Sequence, residues 1–218
     1  MILHMKLLLR LISVIFILFG FVAPASASPV QIPVTKAILN DSVSLVSVES
    51  DHALSSFIYS IYNSNVYSLR GLYVQDVFEL PIVQQPASNP GFVSTADGTL
   101  TQFGVASNYG SIGLLAHNNL AGRDFFNIDT DDTLVLVYGD GHLESYDVTE
   151  IREYQALSPY SPYSSFVNLA NPGYTITYED LFYDTYGIGG RVVLQTCIEQ
   201  NGIDSWGRLF IIAEKMDS

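Results

Sequence analysis

RVVLQTCIEQNGIDSWGRLFIIAEK, residues 191–215, contains two β-branched and apolar runs, RVVLQTC and RLFIIAEK, separated by a more polar interval over 198–207. Paired as an antiparallel hairpin across that interval, they place Cys197 and Arg208 opposite one another at its mouth. Directly opposed residues in such a pair have Cβ atoms about 4.5–5.5 Å apart. Cys197 is the only cysteine in the chain. It is either a small buried core residue or a reactive thiol. A guanidinium beside it favours the thiolate and can donate to an oxygen that becomes negative when the thiolate attacks a carbonyl.

Upstream of this hairpin the pattern stays β. YVQDVFELPIV is followed by the turn-like QQPASNPG, then by FVSTADGTLTQFGVA with a hairpin signal at Asp97-Gly98. SIGLLAH and TLVLVYGDGHLESYDVTEI follow, the latter turning at Gly139-Asp140-Gly141. Short strands, Asp-Gly turns and no long periodic helix predict a single β-barrel or sandwich. Residues 156–190 read as one long connection rich in Tyr, Pro, Ser and Gly. Its tyrosines, with Tyr174, Tyr178 and Tyr186 as candidate substrate-binding residues, either form a binding surface or cover an open end of the barrel.

The N-terminus sets the compartment. Lys6 and Arg10 precede the apolar run LISVIFILFGFVA, and Ala25-Ser26-Ala27 ends it, as in a secretory signal peptide cleaved after Ala27. The alternative is an uncleaved N-terminal anchor. Both put the rest outside the cytoplasm, where cysteines normally pair as disulfides. Residues 28–70 are expected to be a lead-in in which HALSSFIYSIYNSNVYSLRGL is a short helix or a strand pair, and residues 71–218 the main domain. The formal net charge of −13 and a pI near 4.4 argue against nucleic-acid binding, which needs Lys/Arg clusters.

A thiol that attacks a carbonyl needs a proton carrier. Past the signal, the chain offers His52, His117 and His142. His142 follows a turn and His52 lies in the ambiguous lead-in. His117 ends the run SIGLLA and precedes Asn118-Asn119 and Gly122, so it sits where a strand leaves the core, the best position for a general acid/base.

These pieces resemble the sortase family. YGSIGLLAHNNLAGRDFFNIDTDDTLVLVYGDGHLESYDV is similar to the sortase histidine region, VVLQTC to the Thr-Leu-x-Thr-Cys motif, and WGRLFIIA to the strand carrying its arginine, over roughly residues 103–213. The chain departs from the family pattern at Val193, where a Thr is usual, and at Asn118, where an Arg is frequent. The resemblance implies an eight-stranded sortase-type β-barrel with short helices and a cysteine transpeptidase. Such an enzyme cleaves a sorting signal on exported proteins and passes the acyl group to an amine on the cell surface or a pilin. It assigns Cys197 as nucleophile, His117 as general acid/base, Arg208 as oxyanion binder and Thr196 as groove floor. No cofactor is expected. Some sortases use calcium, but Asp129-Thr130-Asp131-Asp132 reads as a solvated turn. The rival readings are a secreted β-barrel binding module that has lost catalysis and a sortase-fold cysteine peptidase.

Overall fold

The structure is a computed structural model that describes residues 52–216; the signal segment and the first part of the lead-in lie outside the described residues. The ambiguous segment resolves into a helix and a strand. Helix α1 (52–61) turns Phe57 and Ile61 onto Tyr73 and Val137 of the sheet, so this part of the lead-in packs on the main domain. Gly71 lets it approach, because a Cβ there would lie 2.5 Å from Ile61 Cδ1 and 2.6 Å from Phe57 Cζ.

Ten strands follow: β1 (Leu69–Val74), β2 (Phe78–Gln84), β3 (Leu100–Phe103), β4 (Ile112–Leu115), β5 (Thr133–Tyr138), β6 (Leu143–Ala156), β7 (Phe166–Asn168), β8 (Thr175–Ile176), β9 (Arg191–Gln200) and β10 (Ile203–Lys215). Their order is β10-β9-β4-β3-β2-β1-β5-β6-β7-β8, and β10 also pairs with β6. That last pairing closes eight strands into a barrel with no free edge. Strand β6 makes closure possible by its length. Its first half pairs with β5 and its last residues with β7, while β10 runs along its other edge. The β7–β8 hairpin thus lies outside the closed ring of eight strands.

Alternation along β9 and β10 sorts side chains between two cores. Val192, Leu194, Leu209, Ile211 and Ala213 fill the interior cluster, whereas Val193, Phe210 and Ile212 belong to a second cluster on the outer face. Strands buried on both faces read as continuous apolar runs, which is why RVVL and LFIIA show little polar alternation. The outer cluster, which takes in Ala106 of the short helix α2 (Gly104–Ser107), is roofed by Phe166 of β7, Ile176 of β8, and Leu181 and Tyr186 of α3 (Tyr178–Tyr186). Thr177 caps that helix by accepting a hydrogen bond from the Asp180 amide, and Glu179 and Asp180 suit its positive N-terminal end.

Two expectations need correction. The 156–190 interval is not a single irregular connection, since it folds β7, β8 and α3 onto the outer face instead of covering a barrel end. Asp97-Gly98 does turn, with Gly98 at φ +65, but makes no hairpin. Strand β3 pairs parallel with β2 and antiparallel with β4, and the preceding stretch is held as a loop by the Ser94 amide donating to Thr101 Oγ1 at 2.8 Å. A dipeptide turn signal fixes local φ/ψ, not the partner of the strand that follows.

Candidate active site

The hairpin between β9 and β10 turns at Asn201-Gly202, both at positive φ (54 and 78), as a two-residue primed turn requires. The sheet therefore extends well into the interval expected as loop. Near the turn the register slips: Ile203 faces Gln200 but Gly207 faces Ile198. Four steps on β10 thus match two on β9, so residues 204 to 206 stand opposite Glu199 alone and form a bulge. Beyond it, Arg208 pairs directly with Cys197. The bulge also aims the arginine: its Nη1 donates to the carbonyls of Ser205 at 3.0 Å and Gly207 at 2.7 Å, and its guanidinium lies 5.9 Å from the centre of the Phe166 ring.

On the other side of β9, β4 runs parallel with Leu114 opposite Leu194 and Leu115 opposite Gln195. The pairing continues past the strand end, because the Ala116 amide donates to the Gln195 carbonyl at 3.2 Å and Thr196 Oγ1 donates to the Ala116 carbonyl at 2.9 Å. Counted on from the Leu115–Gln195 pair, His117 falls level with Cys197, two residues past the end of β4. Adjacent strands lie about 4.8 Å apart. Arg208 therefore stands beside Cys197 across β10 and β9, and His117 follows two residues after the end of β4, on the other side of β9. All three are partly exposed.

His117 is placed by its backbone. Its carbonyl accepts from the amides of Leu120 at 3.0 Å and Gly122 at 2.9 Å, so the chain folds back tightly into the 3-10 helix Ala121–Asn127. Gly122 is the close-approach residue, since a Cβ there would overlap Thr196 Oγ1 and lie 2.8 Å from the His117 carbonyl oxygen. Asn118 ties the same loop to the β10 bulge by donating to the Asp204 carbonyl at 3.0 Å. The structure turns Thr196 away from the groove floor where the resemblance put it. As an even-numbered residue of β9 it points into the barrel, 3% exposed, and clamps β4 rather than facing substrate.

The outer face beside Cys197 carries an apolar groove of about 290 Å³. Phe103, Leu181, Phe182 and Phe210 line it, with Gln195 on its β9 side and Arg208 at the Cys197 end. Of the three candidate tyrosines, Tyr178 and Tyr186 border this groove. Tyr174 does not; it is half exposed in the turn between β7 and β8, where its backbone amide donates to the Asn171 carbonyl. Tyr186 is buried, and its hydroxyl donates to Gln195 Oε1 at 2.7 Å. Burial pushes its ionisation far up, so it stays a neutral donor. Gln195 and the bulge carbonyls were missed in the sequence, where Asn118 stood out only as a departure from the family pattern. The Asn201-Gly202 pair was the available signal for where the hairpin turns.

In the acidic run, Asp132 spends its carboxylate on the Asp129 amide at 2.8 Å, closing a turn before β5. Among the described residues no group of three or more His, Cys, Asp or Glu side chains is arranged to hold a metal ion.

No protein-family model matches the chain, and no curated protein does. Among solved structures it is similar to sortases. Sortase C1 of group B Streptococcus pilus island 1 gives a TM-score of 0.46 at 13% identity, covering 84% of this chain and 86% of that one. Sortase A of Listeria monocytogenes gives 0.41 at 14%, covering 69% and 88%. Sortase C of Clostridium perfringens, solved with the C-terminal cell wall sorting motif, gives 0.40 at 14%, covering 84% and 93%. Assigning chemistry to the site therefore rests on the residues described above.

That chemistry needs an accessible thiol. Cys197 is partly exposed and free. Native protein is expected to form a mixed disulfide at Cys197 with a small thiosulfonate within minutes, with release of the sulfinate, read by intact mass. Labelling that appears only in denaturant would make it an inert core residue.

Proposed function

We propose that this chain is an extracytoplasmic sortase-type cysteine transpeptidase that cleaves a sorting signal on exported proteins and transfers the acyl group to a surface amine. The supporting observation is the pairing of Arg208 with Cys197 on the face that carries the groove, with His117 two residues beyond the β4 residue that pairs with Gln195. The N-terminal signal pattern supports the location. Among the described residues no helix is long and apolar enough to cross a membrane.

The Cys197 thiolate attacks the scissile carbonyl carbon, and the oxygen takes up the negative charge. Arg208 is held by two carbonyls from behind, which leaves its remaining N–H groups to donate to that oxyanion. The C–N bond then breaks as His117 gives a proton to the leaving amine, which leaves a thioester on Cys197. An incoming amine attacks the thioester, His117 takes its proton, and the new amide departs with the thiolate restored. The bonded acyl portion occupies the groove through both steps. The side of Cys197 bordered by the β9–β10 turn is left for the amine.

Water is always the more concentrated nucleophile, so a transferase must place its amine and keep water poorly aimed. With a cleavable peptide, added oligoglycine or lysine-bearing peptide is expected to divert the acyl group to a new amide saturably, while total cleavage rises or holds. Hydrolysed acid as sole product across a broad amine panel at millimolar concentration would reduce the assignment to a peptidase.

A further inference from the structure

Gln195 stands two residues before Cys197 on the same face of β9, in the wall of a groove otherwise built largely from Phe103, Phe166, Leu181, Phe182 and Phe210. Its amide orientation is fixed by one contact. The buried Tyr186 hydroxyl has a single proton to give, and Gln195 Oε1, at 2.7 Å, is the acceptor it finds among the described residues. The flipped amide would make that hydroxyl an acceptor and strand its proton in an apolar layer between Phe103 and Phe210, whose rings lie 5.3 and 6.3 Å away. Gln195 Oε1 is therefore turned to the tyrosine and the Nε2 donors are left to the groove. Among the described residues Nε2 makes no other hydrogen bond, whereas the neighbouring Thr185 hydroxyl is spent on the carbonyls of Leu181 and Phe182.

We propose that Gln195 is a specificity-determining residue that selects a peptide side chain ending in a carbonyl oxygen, an Asn or Gln class of residue, for the groove. An extended peptide lying over Cys197 sends alternate side chains into the groove while its backbone stays at the rim, so the donor in the wall meets a side chain. Gln195 and Cys197 are about 7 Å apart along the strand, which places the selected side chain about two residues upstream of the scissile carbonyl. An aliphatic side chain there leaves the amide donors without a partner. Tyr186 acts through Gln195 and is a positioning residue.

The location of the scissile bond rests on Cys197 being the nucleophile, whereas the selectivity does not, and the test separates them. Peptides are compared in near-isosteric pairs, Asn against Leu and Gln against Met, scanned over three upstream positions. Binding is measured to the Cys197→Ala protein, and kcat/KM to the wild type. The carbonyl-bearing member is expected to win about 3- to 10-fold at one position in both readouts. Gln195→Met is expected to erase that preference through KM, while the rate of Cys197 labelling by a small thiosulfonate stays that of the wild type. Tyr186→Phe, which frees the amide to rotate, is expected to weaken it in the same direction without removing Gln195. Selective binding without wild-type turnover supports the inference and overturns the transpeptidase. Turnover with no discrimination within pairs, or discrimination that survives Gln195→Met, overturns the inference and leaves the transpeptidase standing. Absence of both overturns both.

Discussion

Arg208→Lys is expected to fold normally and to lose turnover by about 10²-fold or more, read as kcat/KM on a cleavable peptide. The structure explains why charge alone is insufficient. Arg208 spends one nitrogen on the carbonyls of Ser205 and Gly207, which pins the guanidinium over Phe166 beside Cys197. The remaining donors of the planar fork are thereby aimed outward. A lysine has one nitrogen for all these tasks. Bonded to the bulge carbonyls it has little left for the oxyanion, and turned to the oxyanion it leaves the bulge unheld. His117→Ala should lose activity as well. His142→Ala should not, because His142 stacks on Tyr138 with ring centres 4.1 Å apart and pairs with Asp140 in the β5–β6 turn, away from β9. Near-normal turnover by Arg208→Lys would remove the arginine from the site.

Gly122→Ala is expected to destabilise the fold by about 1–3 kcal/mol and to lower activity more than that loss explains. The added methyl would meet Thr196 Oγ1 and Cβ, which are fixed in the barrel core, and the His117 carbonyl oxygen at 2.8 Å. Something must move. Thr196 is buried and bonded to Ala116, so the cheaper shift is in the 117–122 turn, which carries the histidine off the Cys197 register. Thermal unfolding and turnover measured on the same preparation test this. A folded Gly122→Ala protein with full activity would show that the tight turn does not position His117. A matched control is Gly91→Ala, where a Cβ meets only Asn89 Oδ1, at 3.9 Å, and neither property should change.

The residues of the candidate site were legible because each is chemically unusual where it stands. A lone cysteine ending one apolar run and an arginine opening the next have a definite cross-strand consequence once the runs are paired antiparallel. The structure has that pairing, Arg208 with Cys197. His117 was marked by the abrupt end of SIGLLA. Its lateral position was not, because the sequence holds no sign that β4 runs parallel to β9 over residues 112–115; parallel partners are joined by distant chain and leave no turn signature. For the same reason Asp97-Gly98 was read as a hairpin although β3 lies parallel to β2.

The sequence by itself determined that the chain is mainly β, as a barrel or a sandwich, and it singled out Cys197, His117 and Arg208 as candidates. Those conclusions follow from local properties: residue type, alternation and turn chemistry. Only the tertiary structure decided which face each side chain takes and what covers it. Thr196 and Cys197 are neighbours in sequence and similar in size, yet the period of two sends one into the barrel and the other to the surface. Tyr174, Tyr178 and Tyr186 are indistinguishable by composition; one is half exposed in a turn, one borders the groove, and one is buried with its hydroxyl on Gln195. That separation comes from the docking of α3 on the outer face of β9 and β10, a long-range contact between apolar surfaces that no short stretch of residues encodes alone.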